Sequence, residues 1–214
     1  MISDSDRDGS CNPEYKRHES LYIDDHSVVF LVEDALYKVH CHFFKRHSSV
    51  FATMFSLPPG NGNSIEGLSD DHPIKLEGVR KIDFERMLSL FYPQDIVKGD
   101  LVTVEEWTSV LALASKWLFP VHRQLAIDRL SQIASPIDRI LLSRRYDVTS
   151  WLVPAYFDLC TREAPLNYEE GEMLGMKDVI LIGQLRHSIR VSTRVSMQDK
   201  NVIATIQRML NVSE

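Results

Sequence analysis

The sequence predicts an α+β domain, with a small mixed sheet and helical hairpins, followed by an all-α extension. Two short β-rich segments, residues 28–32 and 36–39, flank the acidic pair Glu33-Asp34 and predict a β-hairpin. From Phe43 onward the apolar residues recur at three- and four-residue spacings, which is the period of a helix. Beyond about residue 134 only helical patterns remain, so we place the change from mixed α and β elements to helices alone at that position.

The hairpin leads directly into a helical pair, and together they form the predicted nucleus of the core. The apolar stripe of this pair contains four phenylalanines: Phe43, Phe44, Phe51 and Phe55. Each buried ring contributes roughly 1.5–3 kcal/mol through its removal from water. We therefore interpret the stretch from residue 27 to residue 55 as packing material rather than as a reaction centre.

A strand and a helix are predicted after the polar loop at residues 56–71. The strand covers residues 74–77, where apolar and charged residues alternate. The helix ends at Tyr92-Pro93, because a residue that precedes a proline is disfavoured in a helix. The apolar stripe of this helix consists of Phe84, Met87, Leu88 and Phe91.

The clearest helix start is the capping box formed by Thr103 and Glu106. Val102 and Trp107 are predicted to form the accompanying hydrophobic staple. The stripe of this helix continues through Val110, Leu111, Ala114 and Leu118. Pro120 then interrupts the pattern, and a further helix to about Ile133 is predicted to place Val121, Leu125, Ile127 and Leu130 on its apolar side.

The C-terminal part, residues 134–214, is predicted to contain only helices. Ser135-Pro136 is a cap followed by a first-position proline, and further helices are expected at about 151–160 and 177–191. Asn167 with Glu170 predicts the start of a short helix that Gly175 ends. The last predicted helix, from Ser196, has one apolar face: Val202, Ile203, Ile206, Met209 and Leu210.

Composition limits the possible functions. With 214 residues the chain is long enough for one large domain or two small ones. A formal net charge of −6 argues against general nucleic-acid binding, which needs cations to neutralise phosphates. The three cysteines are far apart in the sequence, and neither a secretory signal nor an apolar run of membrane-spanning length is visible. We expect a soluble protein of the cytoplasm, the nucleus or both, with no membrane partner.

The first 20 residues are polar and acidic, and a disordered tail is predicted for them. Within this tail, residues 4–9 copy the opening of a calcium-binding loop, D-x-D-x-D-G. The loop should continue to a glutamate at its twelfth position, which is Tyr15 here, and Pro13 stands where the exiting helix should begin. A solvated acidic segment is therefore the favoured interpretation.

The densest group of possible metal ligands is His40-Cys41-His42, with His47 nearby. A structural zinc site needs four ligands, and the sequence offers no second Cys/His pair at a suitable distance. Cys41 beside two histidines also allows a nucleophilic enzyme as a rival hypothesis, which predicts a lowered thiol pKa. A structural role is favoured over both, so we predict no catalytic residue, metal or cofactor.

Arginines are frequent in the C-terminal half, at positions 144, 145, 186, 190 and 194. Their spacing is helical, and they lie opposite the apolar positions of the same segments. A DNA-binding regulator is the second rival hypothesis. Solvated helix faces explain these arginines better than a nucleic-acid footprint does.

Order and spacing together resemble a known family, the BTB/POZ domain. The pattern His40-x-x-x-Phe44-x-x-x-Ser48-x-x-Phe51 resembles the signature of its helical pair, and the later segments IKL, FERMLSLFY and LASKW agree with it. The resemblance covers about residues 20–133, and we predict the domain at 21–133. The segments VHCHFFKRHSSVFATMFSLP and DRILLSRRYDVTSWLVPAYFDLCTR are most similar to the fungal branch, with a BACK-like extension over 134–214.

The resemblance implies an interaction scaffold without a catalytic centre. Family members typically self-associate, and some present substrates to cullin-type ubiquitin ligases or recruit transcriptional co-regulators. Many animal members have a charged pocket at the dimer interface, and the matching positions here are Ser27 and Cys41, so this pocket is missing. The segment Val104-Glu105-Glu106 has the residue types of a cullin-binding motif but falls about two residues late, inside the capping box.

From these observations we predict a protein–protein interaction module that acts as an adaptor or scaffold, with a homodimer and a cullin scaffold as possible assemblies. The alternatives within this class are a substrate adaptor of a cullin-type ligase and a transcription-associated regulator that recruits partners. The chain contains no zinc finger of the kind often fused to BTB domains, so we expect no direct contact with nucleic acid.

Overall fold

The computed structural model describes residues 26–57, 66–191 and 199–210, together with residues 16, 18, 19, 22 and 23. Of the tail predicted at residues 1–20, all but residues 16, 18 and 19 lie outside the described residues, and so does the calcium-loop resemblance at 4–9. Position 196, where the last helix was predicted to start, also lies outside them.

The predicted hairpin is confirmed and forms two of the three strands of a mixed sheet. Strand β1 (Ser27–Val32) pairs antiparallel with β2 (Ala35–His40) in the register Val32↔Ala35. The two-residue turn places Glu33 at a φ of 54°, the positive value that type II′ turns require at this position. Strand β3 (Ile74–Lys75) pairs parallel with β1, which gives the order β2-β1-β3.

The described residues of the N-terminal part form five helices beside this sheet. The residue after the first of them, Ser48, joins two distant turns, because its hydroxyl accepts the N–H of Phe51 at 3.1 Å and donates to the carbonyl of Trp117 at 2.6 Å. The helices are α1 (Cys41–His47), α2 (Ser49–Ser56), α3 (Lys81–Leu88), α4 (Val104–Lys116) and α5 (Pro120–Ile133).

An aromatic cluster fills the space between the sheet and these helices. The side chain of Phe44 is fully buried, and its ring centroid lies 4.9 Å from that of Phe51, 5.2 Å from that of Phe30 and 6.0 Å from that of Phe119. Rings at these separations attract one another beyond their area burial. The predicted nucleus is therefore correct, with Phe44 at its centre.

The capping box is confirmed, but the predicted hydrophobic staple is wrong. Glu106 Oε2 accepts the backbone N–H of Thr103 at 2.8 Å, and the Thr103 hydroxyl accepts that of Glu106 at 3.3 Å. Val102 is 72% exposed. Leu101 is buried instead, and its carbonyl accepts the indole N–H of Trp107 at 3.2 Å.

Two helix ends differ from the prediction. Helix α3 ends at Leu88, and the N–H of Phe91 bonds back three residues to the carbonyl of Leu88, so that the last turn tightens before Pro93. Leu118, predicted on the stripe of α4, lies beyond its end at a φ of 52° and is 56% exposed. The N–H of Phe119 bonds to the carbonyl of Ala114 and closes this helix.

The apolar side of α5 is narrower than predicted. Ile127 and Leu130 are buried as expected, with Ala126 beside them, whereas Val121 and Leu125 face the solvent. The reason is geometric, since the buried side of α5 is the one that packs against α4 and the aromatic core, and Val121 and Leu125 lie outside it.

The C-terminal part is helical, as predicted. Ser135 and Asn167 cap the helices that follow them, and Gly175 ends one at a φ of 82°. The elements are α6 (Pro136–Tyr146), a short 3₁₀ helix (Thr149–Trp151), α7 (Leu152–Thr161), α8 (Tyr168–Leu174), α9 (Met176–Val191) and α10 (Asp199–Leu210).

A second apolar cluster holds these helices together and encloses a polar network. Asp178, which is 1% exposed, accepts the hydroxyl of Tyr156 at 2.6 Å and Nη2 of Arg144 at 2.6 Å. Burial opposes the charge of Asp178, but the bonds from Arg144 and Tyr156 hold the pKa of its carboxyl below the usual value. The apolar members of the cluster include Ile140, Leu159, Ile182, Leu185 and Ile206.

The two clusters meet at α6, which contributes Leu142 to the first and Ile140 to the second. Trp151, from the 3₁₀ helix, is buried in the first cluster, and its indole N–H donates to the hydroxyl of Ser131 at 2.6 Å. Arg123 donates to the carbonyl of Tyr146 at 2.7 Å. The C-terminal part therefore contacts α5 through the end of α6 and the 3₁₀ helix, and the placement of a domain boundary near residue 134 stays a prediction.

Replacing Phe44 with alanine is expected to destabilise the fold by about 3–5 kcal/mol, because it leaves a cavity at the centre of the aromatic cluster. Urea unfolding followed by circular dichroism measures this loss. Leu36→Ala is the matched control, since Leu36 is 48% exposed and should change the free energy of unfolding by no more than about 0.5 kcal/mol. Equal effects of the two changes would contradict this description of the core.

Asp178→Asn is expected to cost about 1–3 kcal/mol, because it weakens the buried bonds to Arg144 and Tyr156. Glu172→Gln, on the exposed side of α8, should leave stability unchanged. Hydrogen exchange of α6, α7 and α9 in the two variants locates the effect. Faster exchange confined to the N-terminal sheet would contradict the expectation.

Candidate interaction surface

The histidines and the cysteine singled out in the sequence do not converge on one point. Cys41 is fully buried at the start of α1, where its N–H donates to the carbonyl of His26 at 3.0 Å. The ring of His40 lies beside Tyr92, with Nδ1 at 3.0 Å from the phenol oxygen. His47 packs at the other end of α1, against Phe91. Among the described residues, no three His, Cys, Asp or Glu side chains are grouped so that they could hold a metal ion.

The sequence did not single out the histidine with the most unusual surroundings, His122 in the first turn of α5. Its ring lies 5.1 Å from that of His47, 5.0 Å from that of Phe91 and 5.5 Å from that of Phe119. Nδ1 is buried and has no hydrogen-bond partner within the described part of the chain. Burial, and then the nearby His47, lower the pKa of His122 to about 4.

The second cysteine of the described residues, Cys160, is not an activated thiol. Burial raises its pKa to about 11, against a smaller opposing effect of Arg186. Arg186 itself donates to the carbonyl of Leu159 at 2.7 Å and so completes the end of α7. Arg144 is committed to Asp178. These two arginines therefore also have an internal role beyond the predicted solvated faces, because their guanidinium groups satisfy acceptors of buried residues.

The residues that the resemblance linked to cullin binding are engaged within the chain. Glu106 closes the capping box. Glu105 accepts Nη1 of Arg86 at 3.0 Å, although the glutamate side chain is 72% exposed. Val104 is partly buried against the aromatic cluster.

The described surface has a cleft between the loop that precedes α4 and the outer side of α5. Its volume is about 370 Å³, and the indole of Trp107 forms part of its wall. The guanidinium group of Arg129 lies 6.0 Å from the centre of that indole. The other side chains that line the cleft include Leu90, Lys98, Leu101, Val102, Leu125 and Ile133.

Exposed apolar side chains lie at the rim of the cleft and in the loop beside it. Val102 is 72% exposed, and in the loop beside it Ile96 and Val97 are 85% and 93% exposed. The carboxylate of Asp100 fixes this loop, because it accepts the N–H groups of Gln94 at 2.8 Å and Asp95 at 2.9 Å. A fixed loop with exposed aliphatic tips, next to a cleft, is typical of a protein-binding surface.

Sequence reasoning missed this surface for two reasons. It assigned Val102 to a hydrophobic staple with Trp107, and it assigned Leu125 to the apolar side of the helix that follows Pro120. It also gave no role to Ile96 and Val97, although two consecutive β-branched apolar residues inside a polar loop were the available signal.

A comparison with protein families matches residues 17–133 to the BTB/POZ domain. The match covers more than half of the 214 residues. No curated protein matches the chain. Among the described residues, no helix has both the length and the apolar character needed to cross a membrane.

Stability is expected to fall as the pH decreases through the window from about 6.5 to about 4, because the fold favours the neutral form of His122. Above pH 6.5 the contribution of neutral His122 to the free energy of unfolding is fully present, and below pH 4 it is lost. The total loss is limited to roughly 3 kcal/mol. Urea unfolding at several pH values measures it.

In that experiment His122→Leu should reduce the pH dependence of the free energy of unfolding, since leucine fills the aromatic pocket but does not titrate. His187→Gln, on the exposed side of α9, is the control and should leave the wild-type curve unchanged. An identical slope in His122→Leu and the wild type would show that another group is responsible.

Proposed function

The chain belongs to the BTB/POZ domain family, and on this premise we propose that it acts as an adaptor or scaffold that binds other proteins and performs no catalytic step. BTB/POZ domains are protein–protein interaction modules. The finer assignment to the fungal branch, with a BACK-like extension over residues 134–214, is part of the same proposal. This assignment rests on the sequence similarity of segments in both halves of the chain and on the packing of helices in the C-terminal half.

The observation that supports an adaptor most directly is the apolar rim of the cleft. Ile96, Val97 and Val102 are all more than 70% exposed. Their burial by a partner would release water from the same kind of surface that stabilises the core. The buried ring of Phe44 and its aromatic neighbours fill the centre of the domain. We therefore place partner binding at the surface of the domain.

Self-association is the first extension of this proposal. Positions 27 and 41 hold a serine and a fully buried cysteine rather than a charged pair, so a homodimer of this chain would depend on apolar contact instead. The exposed side chains of α5, Val121 and Leu125, are available for such contact. Light scattering across a range of concentrations distinguishes a monomer from a dimer.

Two alternatives name a pathway. As a substrate adaptor of a cullin-type ligase, the chain would bind a cullin scaffold directly, which a binding measurement with a purified cullin N-terminal domain tests. As a transcription-associated regulator, it would recruit co-regulators without contacting DNA itself. Both place the protein in the cytoplasm or nucleus, where Cys41 and Cys160 would remain reduced.

The double variant Val102→Glu with Leu125→Glu is expected to lose the partners that the full wild-type chain captures. When a partner covers the cleft, the two introduced carboxylates would lose their contact with water, and burying an unpaired charge is costly. Affinity capture with quantitative mass spectrometry compares the two proteins, and circular dichroism verifies that both are folded.

Lys75→Glu with Lys200→Glu is the matched control, since it introduces two glutamates at exposed positions far from the cleft. This control should retain the wild-type partners. Capture of the same proteins by all three chains would contradict the role of the cleft. A wild-type chain that captures no partner and stays monomeric would contradict the function itself.

A further inference from the structure

Positive charge is concentrated in one segment of this acidic chain. Residues 35–57 contain two lysines, one arginine and three histidines but no aspartate or glutamate. Since the formal net charge is −6 and this segment contributes +3, the rest of the chain has a charge of −9. The segment comprises β2, α1 and α2, so the fold gathers this charge in one region.

The outer side of α1 displays two of these charges. Lys45 and Arg46 are both exposed, next to each other in the last turn of the helix. Within the described part of the chain neither forms an ion pair, whereas Arg80, Lys81 and Arg86 of the neighbouring helix α3 all do. The ammonium group of Lys45 lies 5.8 Å from the centre of the Phe55 ring.

Helix α2, which packs against α1 and holds Phe55 near Lys45, contributes exposed apolar side chains to the same region. Helix α2 contains no charged residue, and its exposed positions include Val50, which is 38% exposed. Leu57, directly after the helix, is 66% exposed. We call this surface the α1–α2 face and define it by Lys45, Arg46, Val50 and Leu57.

The charges of the α1–α2 face disfavour two occupants. In a symmetric dimer formed through this face, the same patch would lie on both subunits. Lys45 and Arg46 would then approach their own equivalents, and such like-charge contacts are costly. A nucleic acid is disfavoured too, because two cations neutralise few phosphates and the remaining chain is strongly acidic.

We propose that the α1–α2 face docks an acidic amphipathic segment of a partner protein, with carboxylates on Lys45 and Arg46 and apolar side chains over Val50 and Leu57. This proposal rests on the proposed function and names the chemistry of one partner. Carboxylates suit Lys45 and Arg46 in particular, since both side chains are exposed and neither has an ion pair with another described residue that would have to break first.

The test measures the fluorescence anisotropy of two labelled helical peptides in the presence of the full chain. One peptide combines leucine at helical spacing with glutamate, and its twin has lysine in place of every glutamate. We expect the acidic peptide to bind and the basic twin not to bind. Added salt should weaken the binding, as expected for exposed charges.

Neutral substitutions locate the binding site on the chain. Lys45→Gln with Arg46→Gln should weaken binding of the acidic peptide by about tenfold or more, which corresponds to ~1.4 kcal/mol. Lys75→Gln with Lys200→Gln, which removes the same charge at exposed positions elsewhere, should retain it. Circular dichroism confirms that both variants are folded, and neutral glutamine avoids placing an anion at the end of α1.

Three results would overturn the proposal: equal binding of the two peptides, binding that is indifferent to Lys45→Gln with Arg46→Gln, and failure of the acidic peptide to bind at all. A fourth is tighter binding after Asp4→Asn, Asp6→Asn and Asp8→Asn, since the chain's own acidic segment would then be the occupant. These outcomes are separate from a failure of the proposed function, which the cleft variant and partner capture test.

Discussion

The packing of Phe44 against its aromatic neighbours is the constraint on which the N-terminal half depends. The ring is in contact range of Phe30 in the sheet, Phe51 in α2 and Phe119 at the start of α5. The hydrogen bond from Ser48 to the carbonyl of Trp117 fixes the same two turns against each other. Because the sheet, α2 and α5 all converge on one side chain, the outer faces of the surrounding helices are held in fixed relative positions.

Helix α5 connects the aromatic core with the C-terminal helices. Its buried side, with Ala126 and Leu130, belongs to the aromatic core, and Trp151 of the next part is packed into the same cluster. The second cluster then has its own polar centre at Asp178, where a charge is held by Arg144 and Tyr156. A buried carboxylate of this kind is stable only if its partners are in place, so it favours one arrangement of α6, α7 and α9.

The surfaces follow from the way these two cores use their residues. Since the buried side of α5 packs against α4 and the aromatic core, Leu125 stays exposed and lines the cleft. Asp100 holds the loop at the cleft in one conformation by accepting two backbone N–H groups, while its aliphatic neighbours stay exposed. On α1, Phe44 points inward and Lys45 points outward, so the same short helix contributes to the core and to a basic surface. This division of faces is what an interaction module requires.

The sequence by itself determined the hairpin, the order of the helices and their caps. Strand alternation, the Thr103–Glu106 box and the Asn167–Glu170 box depend on residues that are near one another in the chain. The tertiary structure alone decided that Val102 and Leu125 are exposed, that His122 is buried beside His47, and that Arg144 meets Asp178. A periodic pattern shows that a helix has an apolar side, but the neighbours that cover it come from distant parts of the chain. Burial and charge pairing are therefore settled only when those parts meet.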